Sequence, residues 1–278
     1  MLKMKNTIAI QGAEGSNHHK VAKDFYGETI NLKECMSFDV LVAALLNKKA
    51  AKGIMALENT IAGSIIPNYA LIDSNELHIC GEKYLNIHHH LMALKGQKIE
   101  DIKEVCSHPM ALLQCKEFFK KYSHIKLVED VDTAEVAKRI TENQLKGVAA
   151  IAPKLAAEIF GLVVLEDEIQ TIKDNVTRFV IVQTEEPNKG KEEVNKASLK
   201  FQLDHKRGSL AAILNVLSDC KMNLTKIQSL PVIESPWKYS FFVDVTFDVY
   251  KNYKKAISII EIMAEEFKVL GAYKNGRK

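Results

Sequence analysis

Lys173-Asp174-Asn175-Val176-Thr177-Arg178-Phe179 runs straight into the apolar Val180-Ile181-Val182. Asp174-Asn175 is a polar turn signal and the β-branched run behind it is strand material, so Thr177 and Arg178 fall where a loop meets a strand. Thr177 offers a donor and an acceptor, Arg178 a fork of donors suited to a carboxylate, and Phe179 an apolar wall. On a regular strand Thr177 and Phe179 share one face and Arg178 points to the other. Either the strand therefore begins just after Arg178, or the arginine is partly structural.

Upstream of this stretch, strands alternate with helices. Residues 7–11 read as a buried strand, followed by Gly12-Ala13-Glu14-Gly15-Ser16 and a helix over 18–26. Glycines between a strand and a helix N-terminus let backbone N–H groups face an anion, and they also serve in a plain tight turn. Ser37 is a suitable N-cap for a helix over 38–49, and 53–57 is the next strand, giving a βαβ pattern. Glu58-Asn59-Thr60 follows directly, where ligands of open α/β sheets collect, with Gly63-Ser64 opening a further helical stretch. Residues 77–94 look like strand and hold His88-His89-His90; alternation would let only His88 and His90 share an ion, and no carboxylate or cysteine has matching spacing. Ser107-His108-Pro109 then reads as a helix start with Ser107 as cap and Gln114 further along the helix. Strands at 125–128, 147–152 and 162–165, with a capped helix start at Asp132-Thr133-Ala134-Glu135, continue the alternation and imply parallel sheets with helices on their faces.

Downstream, 185–195 is polar, with a proline and a glycine, and reads as a linker. A second unit follows in the order βαββαβ: strand 197–203, a turn at His205-Lys206-Arg207-Gly208, helix 209–220, strands 223–231 and 239–247, helix 252–267, and a strand near 270–273. That order specifies a split βαβ sandwich with one sheet and two helices on a single face. A free sheet edge and the apolar Ala256-Ile257-Ile259-Ile260-Met263 helix favour pairing with a second copy.

Bulk properties narrow the function. Lys+Arg 38 against Asp+Glu 35 leaves a net charge of +3 in 278 residues, without a long basic block, so nothing calls for nucleic acid or an anionic membrane. Five cysteines with no Cys-x-x-Cys read as reduced thiols. No apolar run suits a signal peptide or a membrane span, so the protein is expected in the cytoplasm.

Taken together these segments resemble prephenate dehydratase with a C-terminal ACT regulatory domain. The resemblance rests on Leu57-Glu58-Asn59-Thr60-Ile61-Ala62-Gly63, Ser107-His108-Pro109 with Ala111, Gln114 and Cys115, Thr133-Ala134, Ala149-Ala150-Ile151-Ala152, Ala156-Ala157-Glu158 and Asn175-Val176-Thr177-Arg178-Phe179. The second unit matches through Gly208-Ser209-Leu210-Ala211, Asn223-Leu224-Thr225-Lys226-Ile227 and Trp237 with Tyr239, Phe241-Phe242 and Val243-Asp244. The resemblance implies an α/β fold: a two-lobed catalytic region over 1–185, like type II periplasmic binding domains, a linker over 186–196, and an α+β ACT domain over 197–278. It implies decarboxylative dehydration of prephenate to phenylpyruvate, with no metal and no organic cofactor, L-phenylalanine as effector, and a homodimer or homotetramer. Thr177 and Arg178 are then catalytic candidates, and Asn59, Thr60, Ser107, Gln114, Phe179 and Glu58 substrate contacts. Gly208, Ser209, Leu210, Ala211, Asn223 and Leu224 are effector contacts. Arogenate dehydratase and a non-catalytic aromatic-acid sensor of the same fold are the alternatives.

Several positions depart from the family pattern. The first glycine loop usually continues with Thr or Ser, an aromatic and Ser, where this chain has Ser16-Asn17-His18. Thr60 replaces a serine, Met110 a glutamine, and the usual Glu-Ser-Arg-Pro reads Gln228-Ser229-Leu230-Pro231, without its two charges.

Overall fold

The computed structural model describes residues 7–187, 194–204, 206–232 and 238–277. The first six residues, the interior of the expected linker (188–193), His205 and Trp237 lie outside these. The chain forms two compact units: one runs to Ile65 and includes Tyr84–Phe179, and the other combines Ile66–Lys83 with the chain from Val180 onward.

The first unit opens with β1 (Thr7–Gln11), α1 (Asn17–Tyr26), β2 (Asn31–Cys35), α2 (Phe38–Leu46), β3 (Lys52–Asn59) and the two-residue β4 (Gly63–Ser64). After α3 (Ile66–Ser74) and β5 (His78–Asn86) come β6 (His90–Ala93), β7 (Glu104–Ser107), α4 (Pro109–Phe119), β8 (Lys126–Glu129), α5 (Thr133–Glu142), β9 (Val148–Ala152), α6 (Lys154–Phe160), β10 (Val163–Glu166) and β11 (Val176–Gln183). One sheet has the order β2-β1-β3-β11-β5 with β4 on β3, and a second has β10-β6-β9-β7-β8. Ile54-Met55-Ala56-Leu57 in β3 is apolar without alternation because the strand is covered on both faces. A Cβ on Gly53 would meet the Leu41 and Leu45 side chains, so glycine lets α2 lie close over β3.

The sheets are mixed, which corrects the expectation of parallel sheets. β1 pairs parallel with β2 and β3, and β7 with β8 and β9, but β6 is antiparallel to both β9 and β10. Gly63-Ser64 forms a short antiparallel strand against Glu58 and Asn59 instead of opening a helix. The histidine triplet sits at the gap between β5 and β6, so strand alternation does not apply to it: His89 Nε2 meets Gln114 Oε1, and His90 Nδ1 meets Asp167 Oδ1. Among the described residues no group of His, Cys, Asp or Glu is arranged to hold a metal ion. All five cysteines are buried and none forms a disulfide, and no helix among the described residues is long and apolar enough to cross a membrane.

The second unit contains β12 (Lys196–Gln202), α7 (Ser209–Asp219), β13 (Asn223–Pro231), β14 (Tyr239–Thr246), α8 (Tyr250–Met263) and β15 (Glu266–Tyr273). Its antiparallel sheet has the order β13-β14-β12-β15, as a split βαβ sandwich requires. Ala197, Leu199, Phe201, Val243 and Val245 face α7 and α8 in one core, where Ala256, Ile257 and Ile260 are also buried. Those α8 residues serve the core of their own chain, which removes them from the apolar face expected to pair copies.

The opposite sheet face is polar yet covered. Lys196, Ser198, Lys200 and Asp244 are all buried there. Lys196 Nζ reaches Glu82 Oε2 at 2.8 Å, Lys200 Nζ reaches Asp73 Oδ2 at 2.7 Å, and the Tyr69 and Phe242 rings meet edge-on at 5.4 Å. A Cβ on Gly271 would collide with the Ile79 backbone. The segment from Ile66 to Lys83 thus forms the second cover of this sheet.

Candidate active site

Within the first unit, a cavity of about 240 Å³ opens over the strand ends of β1, β3 and β11 and the starts of α1, α4 and α5. β11 begins at Val176, so the regular alternation holds through the motif. Thr177 and Phe179 line the cavity, while the buried Arg178 does not. Of the two alternatives for Arg178, the strand therefore begins before it, and that parity turns its side chain away from the face Thr177 and Phe179 share.

Asn59 organises the polar wall. Its Nδ2 donates to Thr177 Oγ1 at 2.8 Å and to Asn175 Oδ1 at 2.6 Å, and its Oδ1 accepts from the N–H groups of Ile61 and Ala62. The carboxamide is therefore fixed in orientation by the loop that follows β3. Because Asn59 donates to Thr177, the threonine oxygen is an acceptor on that side and its own hydrogen is left to point elsewhere. Asn175, fully buried, donates to Gln114 Oε1 at 2.9 Å, and the same oxygen lies 2.8 Å from His89 Nε2. Gln114 Oε1 can only accept, so His89 is protonated on Nε2. Burial lowers the pKa of His89 to about 4, against the opposing pull of the Gln114 hydrogen bond, so the ring is neutral near pH 7.

Two glycines fix the opposite wall. Gly12 and Gly15 both have positive φ; a Cβ on Gly12 would strike the Asp132 carboxylate, and one on Gly15 would lie 2.9 Å from Ala156 Cα. The loop is thus a close-approach turn that no other residue fits. Asp132 caps α5, accepting from Ala134 and Glu135 N–H at 2.9 Å each, and also takes the Ala13 N–H. Burial raises its pKa above the ordinary carboxylate value while those N–H groups oppose the rise.

Ser16 caps α1 by accepting from His19 N–H, and Lys20 N–H is taken by the Ser16 carbonyl. That leaves the N–H groups of Asn17 and His18, both cavity-lining residues, at the positive end of a helix dipole. α4 supplies no comparable pair, since Pro109 has no N–H, Met110 N–H goes to His108 Nδ1 and Ala111 N–H to the His108 carbonyl. The cap of α4 is accordingly His108 and not Ser107.

Of the expected contacts, the cavity brings together Asn59, Gln114, Thr177 and Phe179. Ser107 is the last residue of β7 and its hydroxyl donates to the Ile151 carbonyl at 2.7 Å, away from the cavity. Thr60 is exposed and its oxygen accepts from Val176 N–H at 2.9 Å, so the hydroxyl ties the loop to β11 instead of lining the site. Glu58 pairs with Ser64 across the β-bridge and does not line the cavity. His18, His89, His108, Asp132 and Asn175 line it without having been singled out as contacts. Asn175 carried a usable signal, a turn residue two positions before Thr177. Among the described residues that line the cavity, none is lysine or arginine.

In the second unit, a cavity of about 120 Å³ is lined by Ser209, Leu210, Leu203, Asp204, Lys206, Tyr239 and Phe241. Gly208, at φ +85, sets the start of α7, whereas Gly208, Ala211, Asn223 and Leu224 do not line this cavity.

A two-sheet α/β unit whose strand ends and helix N-termini enclose a cavity of carboxamides, hydroxyls, imidazoles and one buried carboxylate, with no lysine or arginine among the described lining residues, has the form of a site for a small polar molecule. Residues 8–187 match the prephenate dehydratase family, and the chain belongs to that family. Arogenate dehydratase 2 of Petunia hybrida is 35% identical, the match spanning 96% of this chain and 71% of the relative. A bifunctional chorismate mutase/prephenate dehydratase of Buchnera aphidicola is 27% identical over 94% of this chain and 69% of its own length. The fold is that of a prephenate dehydratase from Arthrobacter aurescens, solved in complex with L-Phe: TM-score 0.85, 23% identity, 97% of this chain and 90% of the other.

Proposed function

We propose that this chain converts prephenate to phenylpyruvate, water and carbon dioxide, with Thr177 as the group that assists departure of the ring hydroxyl. The observation that carries the reading is the 2.8 Å hydrogen bond from Asn59 Nδ2 to Thr177 Oγ1 inside the cavity. As the ring C–CO₂⁻ bond breaks, its electron pair enters the ring and the C–O bond opposite breaks; one proton converts the departing hydroxide to water. A threonine hydroxyl is a weak acid, but the Asn59 donor stabilises negative charge on its oxygen and directs its hydrogen into the cavity. Gln114, whose oxygen is occupied by Asn175 and His89, presents its amide nitrogen as a further donor.

A described lining without lysine or arginine supports the same chemistry. An arginine paired with the ring carboxylate would stabilise the group that must leave as neutral CO₂, and so would raise the barrier. The unused N–H groups at the start of α1 suit the carboxylate that is retained in the product. No step here draws on a metal or an organic cofactor.

Arogenate, with an amino group in place of the keto oxygen, is the second substrate reading, favoured by the 35% identity to a relative named arogenate dehydratase. Following phenylpyruvate from prephenate and phenylalanine from arogenate side by side tests both. A parent enzyme inactive on either acid would reject the catalytic reading and leave a binding protein of the same fold.

The domain reading is a catalytic region over 1–185, a linker over 186–196 and an ACT-type regulatory domain over 197–278, in a cytoplasmic homodimer or homotetramer. Support comes from the β13 edge, where no residue is buried, and from the cavity at Ser209 and Leu210. L-Phenylalanine as effector would place its charged ends on backbone groups near Gly208–Ala211 and Asn223–Leu224. Calorimetric titration beside activity assays tests this: heat without inhibition would assign the lost coupling to Gln228 and Leu230, and no heat would remove the effector site.

A further inference from the structure

We infer that His18 reads the keto oxygen of the substrate side chain as a neutral hydrogen-bond donor, and so sets the choice between a 2-oxo acid and its 2-amino counterpart. This rests on the dehydratase reading above, and concerns a residue where the family pattern has serine.

Four observations carry it. His18 lines the cavity and is buried, with 9% of its surface exposed, and its Nε2 has no hydrogen-bond partner. A buried ring nitrogen left unpaired in the free protein costs stability, and a ligand group that pairs with it recovers that cost. Its ring is clamped edge-on by Phe179 at 5.0 Å and Phe38 at 5.6 Å, so its direction is set before ligand arrives. Burial brings its pKa down to about 3, and its place in the first turn of α1 opposes protonation further, so it meets the ligand uncharged. Finally, among the described residues no lysine or arginine lines the cavity that could bind this end of the ligand in its stead.

Position assigns the group it contacts. Thr177 and Phe179 are alternate residues on one strand face, about 7 Å apart, and the His18 ring lies on the Phe179 ring. In prephenate the hydroxyl and the side chain stand on opposite carbons of the ring. With the hydroxyl at Thr177 and the ring over Phe179, the side chain reaches His18 and the N–H groups of Asn17 and His18. The backbone amides take the carboxylate, which both acids share. With its proton on Nε2, the imidazole faces the keto oxygen of prephenate as a donor, whereas the ammonium of arogenate offers that N–H no acceptor.

Steady-state kinetics of the full chain and its His18→Phe and His18→Gln variants on both acids test the inference. His18→Phe keeps the ring contacts and should raise KM for prephenate about tenfold, the cost of one buried hydrogen bond, with kcat and the arogenate KM within about threefold of the parent. His18→Gln retains an N–H donor and should restore the prephenate KM. An unchanged prephenate KM in His18→Phe, or an equal rise for both acids, overturns the inference. If His18→Phe does not fold, His18→Asn takes its place, with a side chain too short to reach: equal prephenate KM for Asn and Gln overturns the inference. A parent inactive on both acids removes the dehydratase reading and this inference with it, whereas an active parent with an insensitive His18 removes the inference alone.

Discussion

Thr177→Val separates the hydroxyl from everything else that threonine does in this site. Valine keeps the β-branched shape that suits β11, fills nearly the same volume, and leaves the strand hydrogen bonds in place. What disappears is the acceptor for one of the two Asn59 Nδ2 hydrogens, the other being held by Asn175 Oδ1 at 2.6 Å. An amide N–H left unpaired in a buried wall costs about 1–3 kcal/mol, so the melting temperature should fall by a few degrees while the fold is kept. Turnover should suffer far more. Loss of the group that assists the leaving hydroxide lowers kcat by ~10²–10⁴, with KM within about threefold of the parent because the contact strengthens only in the transition state. Phenylpyruvate formation from prephenate measures both constants. A kcat within about threefold of the parent, or a loss expressed in KM alone, would refute the role given to Thr177.

Asn175→Ala removes a donor to Gln114 and an acceptor of Asn59, so kcat should fall about tenfold or more with partial recovery in Asn175→Asp, read by the same assay. Lys196→Ala strands the buried Glu82 carboxylate and should cost about 3–5 kcal/mol in chemical denaturation, whereas Glu82→Leu with Lys196→Met should recover most of that loss. Stability should also decline in acid through His18 and His89. Their folded pKa values of about 3 and 4 lie below the ordinary imidazole value of about 6.5, so between about pH 6.5 and 4 the unfolded chain binds protons that the folded chain refuses, and stability falls as pH falls. The drop in melting temperature from pH 7 to pH 5 should therefore be smaller in His18→Phe than in the parent.

The sequence was most informative where local chemistry and fold agree. Ser37 and Asp132 cap the helices they precede, and the βαββαβ order of the second unit gives its sheet without further help. β2 escaped notice because Asn-Leu-Lys-Glu-Cys is a mostly exposed edge strand, with too few apolar residues to show a period. The antiparallel pairing of β6 was hidden for another reason: strand direction depends on the path of the chain between strands, which composition does not encode. Nor does alternation along β12 and β14 reveal that the polar face holding Lys196 and Lys200 is covered; that depends on a segment more than 100 residues earlier in the chain.

Side-chain role was harder to read than position, and the two hydroxyls flanking the cavity show why. Ser107 and Thr60 sit at strand ends, as ligand contacts do, yet each satisfies a backbone group of its own fold, the Ile151 carbonyl and the Val176 N–H. A hydroxyl near a site is needed as often for structural satisfaction as for chemistry, and only its partner tells which. Arg178 makes the same point with charge. Residue type alone aims its guanidinium at a dianion, but the strand begins at Val176, and one residue of register turns it to the other face. The described lining offers donors without a full positive charge: the Thr177 hydroxyl, the Gln114 amide nitrogen, the N–H groups of α1, and the His18 and His89 imidazoles held neutral by burial. For a reaction in which one carboxylate must be released and another kept, that lining binds the ligand without stabilising the charge that has to vanish.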